Sequence, residues 1–194
     1  MRKRNCDPHV EHETAAKHVL RYLSATKNLK LHFRKTGKQA EGFVDADWGS
    51  SVDDRRSYTG YAFTLAGCVF SWESKKQVTV ALSSTEAEYM ALSAAAKEAV
   101  YLKNLLREID CYNSKRALTM YGDNLSSQHL AQNPVYHNRS KHIDIRFHYI
   151  REVVKNNVID LRYLSTDNMP ADLLTKNLCK SKHVKLIELL GMKQ

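Results

Sequence analysis

Residues 83–109, SSTEAEYMALSAAAKEAVYLKNLLREI, form the longest stretch of unbroken helical spacing in the chain. The stretch opens with a capping box. Ser83 is placed to accept from the first turn, and Glu86 lies three residues on, able to reach back. The spacing predicts a helix to about Ile109. Leu92, Ala95, Ala99, Leu102 and Leu106 recur behind Glu88 on one face, and all are apolar. Behind Glu86 come Ser93 and Lys97 instead. Glu86 therefore has a structural role in the cap, whereas Glu88 is a carboxylate on a face that should be buried. That is costly unless the group is paired or binds a metal.

On the N-terminal side of this helix, Gly42–Ala46 reads as a short strand ending in acids. Tyr58–Leu65 and Cys68–Trp72 read as a hairpin around Ala66-Gly67, and the apolar run Val78–Leu82 leads into the helix. On its C-terminal side, Ala117–Gly122 reads as a strand that stops at Asp123. Helical segments over roughly 126–132 and 141–155 come next, then an alternating strand at 159–163. A helix near Asp167-Asn168 follows, with Pro170 in its first turn. The order is three strands, helix, strand, helices, strand, helix. It predicts an α/β fold with a five-stranded mixed sheet: an antiparallel meander first, then strands joined through helices and so parallel. Residues 1–38 read as an appendage, with a helix from Asp7-Pro8 to Ser24 whose apolar stripe needs a partner, and a strand-like Leu29–Arg34.

In such a sheet, groups just past the carboxyl ends of neighbouring strands converge on one crevice. Asp45 and Asp123 hold that position on two strands. Asp47 is the nearest rival of Asp45, and Asp172 lies in the first turn of the late helix. Each has an ordinary alternative: a turn for Asp45, a cap for Asp123, the helix dipole for Asp172. Together with Glu88 they make a four-acid set suited to hard divalent cations. Two such ions about 4 Å apart can activate water and stabilise the leaving oxygen of a phosphodiester. No Gly-x-Ser-x-Gly elbow or glycine-rich phosphate loop is present, so the residues favour metal-assisted hydrolysis over covalent catalysis.

Charge agrees with a polyanionic partner. The net charge is +9, and residues 1–40 hold ten Lys/Arg against three acids, while 41–194 hold twenty against eighteen. The four cysteines are scattered without a Cys-x-x-Cys pair, which fits a reducing compartment and argues against zinc. No apolar run reaches the length of a membrane span, and no signal-peptide pattern follows the basic start. The expectation is an intracellular protein, cytoplasmic or nuclear.

Four stretches resemble the RNase H domain of copia-type LTR retrotransposon polyproteins: GFVDADWGSSVDDRRSYTGYAF (42–63), SWESKKQVTVALSSTEAEYMALSAAAKEAVYL (71–102), YGDNLSSQHLAQNPVYHNRSKHIDIRFHYIRE (121–152) and YLSTDNMPADLLTK (163–176). HETAAKHVLRYLSATKNLKLHFRK (12–35) is similar to the segment that follows reverse transcriptase in those polyproteins, and KLIELLGMKQ (185–194) to their C-terminus. The resemblance implies residues 1–38 as a connection segment, 39–178 as an RNase H domain and 179–194 as a helical tail. It implies Asp45, Glu88, Asp123 and Asp172 as catalytic metal ligands for two Mg²⁺, with Mn²⁺ as a substitute. It also implies an RNA–DNA hybrid as substrate and the family's reverse transcriptase as partner. Such a hybrid is sensed through its wide minor groove and 2′-hydroxyls. Arg55, Arg56, Lys75, Lys76 and Gln77 are the candidates for that contact, with solvated turns as the alternative.

Two departures stand out. The loop Leu164–Asp167 lacks the histidine that cellular RNase H enzymes carry before the last acid, and His142 is the nearest substitute in the sequence. Ser51-Val52-Asp53-Asp54 lacks the tyrosine of a polymerase Tyr-x-Asp-Asp turn and reads as a loop. The competing expectation is a catalytically silent, nucleic-acid-binding remnant of a degenerate element. An integrase-type nuclease would need its glutamate after the second acidic strand, and Glu88 precedes it.

Overall fold

The computed structural model describes residues 7, 9–110, 116–126 and 141–194, with residues 141–144 described by backbone alone. Helix α1 covers Val10–Thr26 and strand β1 Lys30–Leu31. The meander is β2 (Glu41–Ala46), β3 (Tyr58–Leu65) and β4 (Cys68–Lys76). Helix α2 covers Ser84–Glu108, β5 Leu118–Gly122, α3 Lys141–Lys155 and β6 Ile159–Tyr163. Two short 3-10 turns, Thr166–Asn168 and Pro170–Leu174, precede α4 (Lys180–Leu189) and β7 (Met192–Lys193). The main sheet has the order β4-β3-β2-β5-β6. β2–β3 and β3–β4 are antiparallel, and β2–β5 and β5–β6 are parallel. This is the predicted mixed sheet.

Helix α2 starts at its cap: Ser83 Oγ accepts from the backbone N–H of Glu86 at 3.1 Å. The return bond of the box closes one residue earlier than expected, on Leu82 N–H, which donates to Glu86 Oε2 at 2.9 Å. The five apolar positions counted from Glu88 are all buried. Tyr89, Met90, Ala91 and Ala96 are buried too, because α3 packs beside α2 and sets Phe147 against Tyr89, with ring centroids 4.1 Å apart. This face of the sheet carries the larger core, including Val44, Phe63, Leu118, Met120, Ile150 and Ile159. A fully buried side chain of this size contributes about 1.5–3 kcal/mol.

The opposite face is covered by the C-terminal chain. Leu190 meets Ala62 and Val69 there, with Leu173 and Leu174 alongside. Residues 179–194 are thus packed into the body, and β7 pairs with β1. The N-terminal segment joins the same edge, where His32 N–H donates to Gly191 O and Arg34 N–H to Ala66 O.

Three expectations about elements are corrected. β4 runs on to Lys76 instead of stopping at Trp72. It is the edge strand, so its ladder with β3 persists through charged residues that solvent accepts. The apolar run Val78–Leu82 leads into α2 as expected, in irregular conformation and with Val78 and Leu82 exposed. The late helix is a pair of 3-10 turns, with Pro170 opening the second. Helix α1 begins at Val10, capped by His9 instead of Asp7, and buries none of its residues. The expected helix over 126–132 lies almost wholly outside the described residues.

Candidate active site

Asp45 sits near the end of β2 and is completely buried. Parallel pairing sets β5 beside β2, and Asp123 follows directly where β5 ends. Asp172 lies in the second 3-10 turn, also completely buried. That turn can reach β2 because of Gly60, the residue paired with Asp45 on β3. A Cβ on Gly60 would stand 2.7 Å from Thr175 Cγ2 and 2.8 Å from Leu174 Cβ. The absent side chain is what lets the Asp172 segment lie on the sheet beside Asp45.

Oxygens of Asp45, Asp123 and Asp172 lie within 4.8 Å of one another. An all-carboxylate set at that spacing suits a divalent cation that prefers oxygen ligands. Glu88 is half-buried on α2 and falls outside this trio, yet it belongs to the same field. Burial, then the charges of Asp45 and Asp123, push its carboxyl up to about 9, against the Ala46 backbone N–H and Lys176. Asp45 is pushed up to about 6, chiefly by burial, with Lys176 and Thr175 opposing and Asp172 adding to the rise. Clustered acids that resist ionisation are the signature of a site that needs positive charge.

Two lysines supply some of that charge. Lys176 Nζ donates at 2.8 Å to Asp45 Oδ1 and at 2.8 Å to Asp172 Oδ1. Lys182 Nζ donates to Asp172 Oδ2 at 2.6 Å, and Thr175 Oγ1 donates to Asp45 Oδ2. On Asp123, Oδ2 accepts from Thr166 Oγ1 at 2.8 Å. Sequence reasoning passed over Thr175, Lys176, Lys182 and Gly60. Only Lys176 carried a signal, being four residues from Asp172.

Asp47 is turned to another task. Its Oδ2 accepts from Ser50 N–H at 2.9 Å and its Oδ1 from Tyr58 N–H, closing the loop between β2 and β3. The alternation that would aim it with Asp45 ends with the strand at Ala46. Among the basic candidates, Arg55 and Lys75 are exposed. Arg56 Nε lies 3.9 Å from Asp54, and Lys76 Nζ is 2.8 Å from Asp54 and 2.7 Å from Ser51 Oγ. Gln77 faces inward, where its amide donates to Thr59 Oγ1 at 3.1 Å and to Ala87 O at 3.0 Å. The side chain of His142 lies outside the described ones.

This architecture is the RNase H fold. LC11-RNase H1, isolated from compost by a metagenomic approach, superposes with a TM-score of 0.52 at 17% identity, over 71% of this chain and 92% of that one. By sequence the chain belongs with the retrovirus-related Pol polyproteins of plant transposons. It is 41% identical to that of transposon TNT 1-94 from Nicotiana tabacum over 96% of its own length, and 36% identical to that of RE1 from Arabidopsis thaliana over 95%. It spans only 14% and 13% of those polyproteins. A 97-residue stretch is 55% identical to Secreted RxLR effector protein 161 of Plasmopara viticola, over 50% of this chain and 68% of that protein. No family model matches.

Proposed function

We propose that the chain is a metal-dependent endoribonuclease that cleaves the RNA strand of RNA–DNA hybrids, serving retrotransposon reverse transcription. The observation that carries this reading is the convergence of Asp45, Asp123 and Asp172 within 4.8 Å, under the raised carboxyl of Glu88. Asp45, Glu88, Asp123 and Asp172 would hold two Mg²⁺, or Mn²⁺, which when bound supply an activated water and charge at the leaving oxygen. The remaining work falls to the chain's own groups. Thr175 and Thr166 orient Asp45 and Asp123 by the hydrogen bonds they donate. Ala46 N–H does the same for Glu88. Burial of Asp45 and Asp172 keeps water from screening the site. Arg55, Arg56 and Lys75 offer charge for the hybrid's phosphates. Lys76 can join them only by leaving Asp54, and Gln77 serves as support beneath the surface.

The natural setting we infer is intracellular, beside the reverse transcriptase of the same polyprotein family. Residues 39–178 bear the chemistry, 1–38 connect to the polymerase and 179–194 close the second face. Among the described residues, no helix is long and apolar enough to cross a membrane. The test is incubation of the full chain with end-labelled hybrid, RNA duplex and DNA duplex, in Mg²⁺ or EDTA. Cleavage confined to the RNA of the hybrid, and lost in EDTA, is expected. Hybrid binding without cleavage would favour the silent remnant, and neither binding nor cleavage would refute both.

A further inference from the structure

Lys176 is not one more surface lysine. Its ammonium bridges acids from two different elements, Asp45 on β2 and Asp172 on the 3-10 turn, at 2.8 Å each. Both acids have no exposed side-chain surface, whereas the Lys176 side chain is 33% exposed. The lysine therefore reaches into the cluster from its solvent side and has a route out by rotation about its own stem. With Lys182 and Thr175, it completes a set in which both oxygens of Asp45 and both of Asp172 accept from a side chain of the protein. A cation bound by these acids needs the same oxygens.

We propose that Lys176 is a tethered cation that competes with divalent metal for Asp45 and Asp172 and swings out when metal binds. This rests on the reading of those acids as metal ligands. The physical case has two parts. Two buried, adjacent carboxylates are unstable as a bare pair, and an ammonium between them permits the fold to form before any metal arrives. The Lys176 ammonium, 2.8 Å from both carboxylates, also stands where the charge of a bound cation would stand. Metal must then displace a full unit charge, and the lysine tunes affinity downward. Once displaced, it remains tethered close by, free to meet an incoming phosphate.

The experiment uses the full chain with MgCl₂ or MnCl₂ alone. Isothermal titration compares the parent, Lys176→Met, which keeps length and loses charge, and Lys176→Arg, which keeps charge. Because a unit charge a few ångströms from a divalent ion weighs heavily even at a protein's effective dielectric, Lys176→Met should bind at least about tenfold more tightly. It should also melt lower than the parent in EDTA and gain more from Mg²⁺. Lys176→Arg should stay within about threefold of the parent, since the charge persists. A second measurement needs no variant: amine-reactive labelling of the parent, read by mass spectrometry with and without Mg²⁺. Labelling of Lys176 should rise several-fold on saturation, while that of the exposed Lys17 stays level. Met-variant affinity equal to or below the parent's, or Lys176 labelling that does not rise, overturns the proposal and leaves the metal site standing. If neither the parent nor any variant binds Mg²⁺ or Mn²⁺, the metal reading itself fails.

Discussion

Gly60→Ala should damage the site without touching an acid. The added Cβ would lie 2.7 Å from Thr175 Cγ2, 2.8 Å from Leu174 Cβ and 3.1 Å from Ala171 O. Carbon atoms pack at about 3.5–4.0 Å, so two neighbours must retreat by roughly 1 Å. They lie on the segment that joins Asp172 to Lys176, and Pro170, Ala171 and Asp172 at its start are fully buried, so it has little room to slide. Overpacking of this kind costs about 1–3 kcal/mol. Alanine's better fit to a strand interior returns about 0.5–1 kcal/mol relative to glycine. The net, roughly 0–2.5 kcal/mol, should lower Tm by up to about 10 °C for a domain of this size. The same displacement pulls Asp172 from Asp45, so Mg²⁺ affinity should fall, and an error near 1 Å can cost about a hundredfold in cleavage. Gly37→Ala is the control: its φ of +69° strains any side chain, but nothing lies within 4 Å of its Cβ. It should lower Tm and leave Mg²⁺ titration unchanged. If Gly60→Ala melts and binds Mg²⁺ like the parent, the close approach at Gly60 does not govern the site.

Asp123→Asn should keep or raise Tm in EDTA, because the Asp123 charge is one of those that force Glu88 to keep its proton, and should gain less from Mg²⁺ and lose several orders of magnitude in cleavage. Glu86→Gln, confined to the cap, should cost about 1 kcal/mol or less and still cut, so equal losses at the two positions would sink the assignment. The pH dependence follows from two raised acids. Asp45 and Glu88 titrate higher in the folded chain than unfolded, so their contribution is full at low pH and is lost as pH rises through about 6 and about 9. Each proton retained only by the fold costs about 1.4 kcal/mol per pH unit over that span, and Mg²⁺ should flatten the decline by taking the protons' place. Melts in EDTA from acid to alkaline pH check this. Glu88→Gln should remove the upper part of the fall, and a parent-like profile would refute it. Deleting residues 1–26 should leave Tm nearly unchanged, because α1 buries nothing, whereas deletion through 38 removes β1 and the Arg34–Ala66 bond and should lower Tm. Equal melting of the two truncations would contradict that division.

Much of this protein was legible from local pattern. The capped helix, the two acids at strand ends, the mixed sheet and the buried stripe behind Glu88 each follow from periodicity and turn chemistry, which act over a few residues. Those signals were weakest where neighbours distant in sequence decide the outcome. β4 continues past its apolar residues because an edge strand tolerates charge, and α1 carries an apolar stripe that nothing among the described residues buries. Asp47 matched Asp45 by spacing but was drawn off by Ser50 and Tyr58 once the chain left the strand. The sequence alone could nominate Asp45, Glu88, Asp123 and Asp172 as a set. Only the tertiary structure could bring Asp172 across 127 positions of chain to Asp45, through a glycine that leaves room, and seat Lys176 between them. Proximity of that kind depends on which faces pack together, and no local propensity encodes it.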